Sequence, residues 1–309
     1  MNAAATVLQK HTYTLGRSLY IPLTCRCNSI PLPLTRGPGF MLPKSIIDAL
    51  ISVRNEECGV EFVPSPEERG GLPDYSKNWL VNTLYPDDMI NDHSPENETY
   101  NGKYVLDDRI NPSIKSLAHE AVTLLSSNSH NEQPVDQIVI AGEGEPTLRM
   151  DALLSISHQI QSHQKSNNTP PLPIRLITNG LVYTIPNFGY SPSNINRYGM
   201  QIHRHSVLRD MLEAGISRVS VALNTANRHE YDVLMEPCSF TSGSLMPGMA
   251  HDMICEFILE ACKVGMEVEI TGIDRRDVDK SEVDRLARML LSVAERNKRS
   301  NVRWRGYFE

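Results

Sequence analysis

The chain has 309 residues, enough to bury a sizeable core in one barrel-sized domain or in two smaller ones. Hydrophobic residues make up 40% and charged residues 22%, as in ordinary globular proteins, and the formal net charge of −7 disfavours a nucleic acid held mainly through its phosphates. No apolar run approaches the ~20 residues that span a bilayer, and residues 1–10 lack a signal or transit pattern. The sequence therefore predicts a cytoplasmic protein without a membrane partner. Six cysteines in a chain of this length do not indicate a disulfide framework.

Strand-like and helix-like segments alternate along most of the chain. The predicted strands are Ser18–Leu23, Ile138–Ala141, Ile174–Thr178, Arg218–Leu223, Glu267–Thr271 and Asn301–Arg305. The predicted helices are Pro43–Arg54, Ser113–Leu125, Asp151–Gln161, Ser206–Ala214, His229–Met235, Asp252–Val264 and Ser281–Arg296. Alternation of this kind is typical of an α/β protein with a parallel sheet.

Six strand–helix units predict a partial (β/α)6 TIM-like barrel, with residues 1–309 forming a single domain. A doubly wound sheet is the alternative architecture. Polar segments interrupt the pattern, of which 126–135 and 162–173 are loops by composition. Residues 64–111 are predicted to be an insertion or a lid, with disorder as the alternative, and residues 183–198 form a second long loop.

The most informative motif is Gly142-Glu143-Gly144-Glu145-Pro146, which directly follows the apolar strand at 138–141. The glycines permit a tight turn or a close approach to a ligand, and Pro146 ends the strand. Two carboxylates are thereby placed at the carboxyl end of a strand, where open α/β folds and barrels bind their ligands. Such a loop could hold a ligand amine. A plain strand-to-helix turn is the alternative.

Other polar residues follow the remaining strands at the same end. Cys25 and Cys27 follow the first strand, Thr178 and Asn179 end the third, Asn224 follows the fourth, and Asp274 follows the fifth. Each has a local alternative role, since Asn179-Gly180 is a common turn pair and Asn224 could cap the next helix. Together they predict one site around the strand ends.

This order of motifs resembles the radical S-adenosylmethionine superfamily, and within it the TatD-associated group. The resemblance rests on the Gly142–Pro146 loop, on 13–20, on Val219-Ser-Val-Ala-Leu-Asn224 and on Glu267-Val-Glu-Ile-Thr271. It implies a partial six-stranded barrel, a loop of three cysteines spaced C-x3-C-x2-C that binds a 4Fe–4S cluster, and a glycine-rich loop that holds the amino group of S-adenosylmethionine. On this resemblance the candidate cofactor-binding residues are Gly142, Glu143, Gly144, Glu145, Thr178, Asn179 and Asn224.

The cluster motif departs from that family pattern. Cys27 occupies the first cysteine position, but Pro31 and Leu34 stand where the second and third cysteines belong, and neither residue can ligate iron. Clusters normally need three or four protein thiolates. Cys25 and Cys27 are the candidate metal ligands, and Cys238 could supply a third from a loop.

Arg36 lies in the segment that replaces the rest of the cluster motif. Its planar guanidinium could bind a carboxylate or phosphate of the cofactor, so that Arg36→Ala should weaken the binding of an anionic ligand. The alternative is a surface arginine on a rigid loop.

Three functions remain open from the sequence. The first is a radical S-adenosylmethionine enzyme with a 4Fe–4S cluster, and the second is a binding or regulatory protein on the same barrel without the cluster. The third is a zinc enzyme in which His203 and His205 join Cys25 and Cys27. The resemblance also implies association with a TatD-like hydrolase, and a small-molecule ligand is expected in each case.

Overall fold

The computed structural model describes most of the predicted strand–helix units. The described residues are 11–24, 27–30, 35–37, 40, 114–127, 134–142, 144–182, 204–239, 243–244, 247–292 and 302–308. The predictions for 43–54, 64–111 and 183–198 lie outside these residues.

Strands and helices alternate through the described chain. The strands are β1 (Tyr13–Leu15), β2 (Ser18–Ile21), β3 (Gln137–Ile140), β4 (Ile174–Thr178), β5 (Ile216–Ala222), β6 (Cys238–Ser239), β7 (Gly243–Ser244), β8 (Glu267–Asp274) and β9 (Arg303–Gly306). The α-helices are α1 (Ile114–Ser127), α2 (Met150–Ser166), α3 (Arg204–Glu213), α4 (Arg228–Met235), α5 (Met249–Lys263) and α6 (Lys280–Leu291), and Pro146–Arg149 form a short 3-10 helix. None of the described helices is long and apolar enough to span a membrane.

The main sheet has seven strands in the order β1-β2-β3-β4-β5-β8-β9. Only the β1–β2 pair is antiparallel, and every other pair is parallel. The parallel strands follow one another in chain order without the reversal that defines a doubly wound sheet, so that alternative does not describe this sheet. The sheet curls into a half-barrel. All six predicted strands are confirmed, as is the mixed α/β class with a mostly parallel sheet.

The two faces of the sheet differ in polarity because side chains alternate along each strand. One face carries residues such as Ile138, Leu176 and Ile270, which are fully buried in the main apolar core. Helix α5 supplies Phe257 and Ile258 to the same core, both with no exposed surface. The opposite, concave face carries polar side chains. The helices therefore pack on the apolar face of the sheet.

The sequence analysis did not predict the antiparallel hairpin at the edge of the sheet. Gly16, with a φ of 59°, and Arg17 form the turn that pairs Leu15 with Ser18. A two-residue turn with glycine at a positive φ is a favoured hairpin connection. At three residues, β1 is too short for an alternation signal.

The segment at 35–37 lies beside the last strand of the sheet. The amide of Phe308 donates to the carbonyl of Arg36 at 2.8 Å, and Arg36 Nε donates to the carbonyl of Gly306 at 2.7 Å. Gly37 has a φ of 93°, and a Cβ there would lie 2.1 Å from the Phe308 carbonyl oxygen. Glycine is thus required for this close approach.

Candidate functional site

The loops that follow β2 and β3 meet at the carboxyl edge of the sheet. The amide of Gly144 donates to the carbonyl of Thr24 at 3.3 Å, which joins the two loops directly. Because β2, β3, β4 and β5 are parallel neighbours, their carboxyl ends all lie at this edge. The predicted convergence of strand-end residues is found for most of the candidates.

Glu145 is the centre of the site. Its side chain is 3% exposed, and its carboxylate accepts from the amide and the hydroxyl of Thr147, from the hydroxyl of Thr178 and from the amide of Asn179. The first three donors reach Oε1 at 2.7–3.1 Å, whereas Oε2 accepts only the Asn179 amide, at 2.7 Å. Oε2 therefore keeps acceptor capacity. Burial raises the pKa of Glu145, and the four hydrogen bonds act in the opposite direction.

The backbone around Glu145 is fixed by the same contacts. Glu145 has an extended conformation and caps the 3-10 helix by accepting from the amide of Thr147, and Pro146 occupies the first turn, where its missing N–H costs nothing. Glu145, which belongs to the predicted strand-end motif, is thus also the N-cap of the 3-10 helix.

Asn179 connects Glu145 to the loop that follows β2. Its side-chain amide donates to Asn28 Oδ1 at 2.7 Å and to Ser29 Oγ at 3.0 Å, and it lies 3.8 Å from Cys27 Sγ. Asn28 in turn donates to the carbonyl of Leu181 at 3.1 Å. These side chains form one buried polar network that holds the two loops in register.

A small pocket of about 30 Å³ lies within this network. It is lined by Cys27, Ser29, Ile30, Ala141, Gly142, Gly144, Glu145, Ile177, Thr178, Asn179, Ala222 and Met235. Its volume suits one water molecule or one ammonium group. Of the predicted site residues, Gly142, Gly144, Glu145, Thr178, Asn179 and Cys27 are therefore brought together.

The other predicted residues lie elsewhere. Asn224 is buried behind the pocket, where its amide nitrogen contacts the sulfur of Met235 at 2.9 Å, and Asn227 rather than Asn224 caps α4. Arg36 lines a separate, larger cavity on the concave face of the sheet. Asp274 ends β8 and pairs with Lys280, and it does not line the pocket. Glu143 and Cys25 lie outside the described residues.

Two buried polar atoms close to the pocket lack hydrogen-bond partners among the described residues: Asn224 Oδ1 and the hydroxyl of Tyr231. Burial raises the pKa of Tyr231, and the neighbouring Cys27 and Glu145 raise it further. Unsatisfied buried polar atoms are uncommon in folded proteins and are often found at functional sites. Asn224 contacts Met235, and Met235 lines the pocket.

The described residues do not provide a ligand set for a 4Fe–4S cluster. Cys27 is 5% exposed, and its sulfur lies near Ser29 Oγ at 3.7 Å and Asn179 Nδ2 at 3.8 Å. Across the described part of the chain, no three His, Cys, Asp or Glu side chains are grouped as a metal site would require. Cys255 and Cys262 lie on α5, and burial raises the pKa of Cys255 to about 12. A thiol of that kind is a packing residue.

Sequence reasoning missed several residues of this site, namely Asn28, Ser29, Thr147, Tyr231 and Met235. Asn28 and Ser29 directly follow Cys27, and Thr147 follows the Glu-Pro pair, so proximity to the predicted motifs was an available signal for these three. Tyr231 and Met235 lie on α4, and the amide of Ile30 donates to the carbonyl of Met235 at 2.8 Å, which joins the end of α4 to the loop after β2.

Comparison with known protein families finds no family model that matches the chain, and comparison with curated protein sequences finds no match. The functional interpretation therefore depends on the geometry of the site.

Proposed function

We propose that this chain is a small-molecule-binding protein on a TIM-like partial barrel similar to that of the radical S-adenosylmethionine superfamily. Its pocket at the strand ends binds the amino group of S-adenosylmethionine or of a closely related metabolite, without the usual three-cysteine 4Fe–4S cluster. The observation that carries the proposal is the buried Glu145 carboxylate, which is fixed on one oxygen and retains acceptor capacity on the other.

An ammonium group suits this position for an electrostatic reason. A buried carboxylate is costly unless a positive charge or several donors compensate it, and charge-assisted hydrogen bonds are stronger than neutral ones. The donors from Thr147, Thr178 and Asn179 hold Glu145 in place, so the carboxylate needs little reorganisation when a cation arrives. The pocket admits only a group of about the size of ammonium, so the rest of the ligand must lie outside it.

The cluster-dependent function is the less well supported of the two main candidates. Radical cleavage of S-adenosylmethionine would require a cluster to supply the electron. In this chain Cys27 is the only thiol among the residues that line the pocket, and Pro31 and Leu34 replace the other two cysteines of the family pattern. We therefore assign no radical step to these residues.

Equilibrium binding tests the ligand assignment. Isothermal titration calorimetry with S-adenosylmethionine and S-adenosylhomocysteine should give saturable binding. The analogue 5′-methylthioadenosine lacks the amino-acid portion and cannot place an ammonium group against Glu145. It should therefore bind at least about tenfold more weakly, a difference of about 1.4 kcal/mol in binding free energy. Equal binding of all three ligands, or binding of none, would refute the role given to Glu145.

Anaerobic reconstitution with iron and sulfide tests the absence of the cluster. We expect no stable incorporation and no electron paramagnetic resonance signal after reduction. Incorporation of about four irons per chain that is abolished by Cys27→Ala would instead establish the cluster-containing enzyme. The association with a TatD-like hydrolase remains a prediction from the resemblance, and co-purification of the two proteins would test it.

A further inference from the structure

The concave face of the sheet encloses a cavity of about 520 Å³. Its lining residues come from all six of the parallel strands, from β1 and from the segment around Arg36. In a complete TIM barrel the interior is filled by layers of apolar side chains. Here the same region is open and polar, and its volume lies in the range of small-molecule binding sites.

The cavity is strongly cationic. Arg36, Arg175, Arg303 and Arg305 all line it, and Glu269 is the one carboxylate among its described lining residues. Four positive charges against one negative charge give a local excess of three, in a chain whose formal net charge is −7. A cationic cleft inside an acidic protein concentrates anions at that position.

The single carboxylate is already shared by two of the arginines. Glu269 Oε2 lies 3.6 Å from Arg175 Nη1 and 3.4 Å from Arg303 Nη1, and it accepts from the hydroxyl of Ser220 at 2.7 Å. Burial tends to raise the pKa of Glu269, but Ser220 and the two arginines outweigh it and hold that pKa below its usual value. Glu269 therefore remains ionised and compensates only part of the positive charge.

The other two arginines have no carboxylate partner among the described residues. Arg36 donates from Nε to the carbonyl of Gly306, and its guanidinium lies over the rings of Phe40 and Phe308 at 4.6 and 5.3 Å. Arg305 Nε is buried without a hydrogen-bond partner among the described residues. Burial and the charges of Arg303 and Arg36 lower the pKa of Arg305 to about 10. The cavity thus holds donors and positive charge that an anion would satisfy.

Apolar side chains complete the lining. The rings of Tyr13 and Tyr20 stack with centroids 5.1 Å apart, and Val139 and Ile177 line the cavity as well. A ligand that combines charged groups with a carbon skeleton fits this mixture, whereas the acidic net charge of the chain disfavours a long polynucleotide.

We propose that this cavity binds a small organic polyanion, with Arg305, Arg303 and Arg36 contacting its phosphate or carboxylate oxygens. Guanidinium groups match both kinds of oxyanion through paired hydrogen bonds. The site is distinct from the pocket around Glu145, although Ala141, Gly142 and Ile177 line both and make them neighbours. The proposal does not depend on the binding of S-adenosylmethionine.

Titration calorimetry at neutral pH and low ionic strength, with inorganic pyrophosphate and citrate as separate probes, tests the site. We expect saturable binding of at least one probe, and the better probe identifies phosphate or carboxylate as the preferred group. Arg305→Met should weaken binding at least about tenfold, because it removes a charge-assisted contact with the anion. Glu269→Gln should strengthen binding, since it removes the negative charge from the cavity.

Arg285→Gln is the matched control, because Arg285 is an exposed arginine on α6 whose side chain pairs with Glu282. It should bind the probes as the wild type does. If Arg305→Met does not fold, as judged by circular dichroism, Arg36→Gln replaces it with the same expected loss. The proposal is overturned if neither probe binds, if the cavity variants bind like the wild type, or if Arg285→Gln weakens binding equally. Loss of S-adenosylmethionine binding alone would refute only the function proposed for the Glu145 pocket.

Discussion

Replacement of Glu145 by Gln should destabilise the protein even though the two side chains have nearly the same shape. The carboxylate accepts one backbone N–H on each oxygen, from Thr147 on Oε1 and from Asn179 on Oε2. A glutamine has one carbonyl oxygen and one NH₂ group. In either orientation of the amide, one buried backbone N–H faces another donor and loses its acceptor.

The expected magnitude follows from that loss. An unsatisfied buried donor costs about 1–3 kcal/mol, and the change also replaces charge-assisted hydrogen bonds by neutral ones. Removal of a buried charge offsets part of this cost, because burial itself disfavours the ionised form of Glu145. We therefore expect the free energy of unfolding to fall by about 1–3 kcal/mol, out of the ~5–15 kcal/mol typical of a folded protein.

Urea denaturation followed by circular dichroism measures the effect. With a denaturant slope of about 2–3 kcal/mol per molar, the midpoint should fall by about 0.3–1.5 M without a change in slope. Glu213→Gln, at the exposed end of α3, is the control and should change stability by less than about 0.5 kcal/mol. A Glu145→Gln midpoint equal to or above that of the wild type would show that the network does not fix this carboxylate as described.

Three further changes test the fold and the cavity. Glu269→Gln should be less stable than the wild type at pH 7. The pKa of Glu269 is lowered in the folded protein, so its carboxylate stabilises the fold above the ordinary carboxyl pKa of 4.5 and loses this effect when it is protonated. In urea titrations the difference in stability should therefore shrink as the pH falls below 4.5. Persistence of the full difference in acid would contradict this. Gly272→Ala places a Cβ 2.7 Å from the ring of Trp304, so it should lower the free energy of unfolding by about 1–3 kcal/mol. It should also shift the fluorescence of Trp304, measured in a Trp79→Phe background, and an unchanged spectrum would argue against that contact. Phe257→Ala should cost about 3–5 kcal/mol in the same denaturation assay, and a loss below 1 kcal/mol would mean that Phe257 is not in the core.

Much of the fold was predictable because alternation of polar and apolar residues is strong in this chain. Strand β4 has the predicted bounds Ile174–Thr178, and its neighbours differ by only a few residues. Helix α2 continues to Ser166, five residues beyond its predicted end at Gln161, because the added turn is polar and carries no apolar stripe. Local patterns detect buried faces, so they underestimate elements whose ends face solvent.

The site was predictable only where topology determines it. Glu145, Thr178 and Asn179 converge because each ends or follows a parallel strand, a rule that needs no knowledge of side-chain contacts. Asn28 joins them through hydrogen bonds to Asn179 and Leu181, partners more than 150 positions along the chain. Contacts over such distances cannot be inferred from local spacing.

The sequence already shows charged residues within the predicted strands, but the sequence analysis did not assign them to one face of the sheet. Arg303 and Arg305 lie two positions apart on β9, and Glu269 lies in β8, so alternation places all three on one face. The strands were assigned from their apolar residues, which report the opposite face. A face-by-face reading of polar residues in predicted strands would have indicated the cavity.

The contact between the segment at 35–37 and strand β9 has a consequence for how the chain acquires its structure. Arg36 and Gly306 are separated by 270 positions, and their hydrogen bond holds Arg36, which lines the cavity. Contacts of long sequence separation form late, because loop closure must come first. During synthesis the earlier strands can pair while the ribosome still holds the rest, but the cavity cannot close until residues 303–308 have emerged. A nascent chain that lacks them has neither Arg303 nor Arg305, so the proposed anion site does not exist until the last strand has been added, and ligand present at that stage would favour the completed fold.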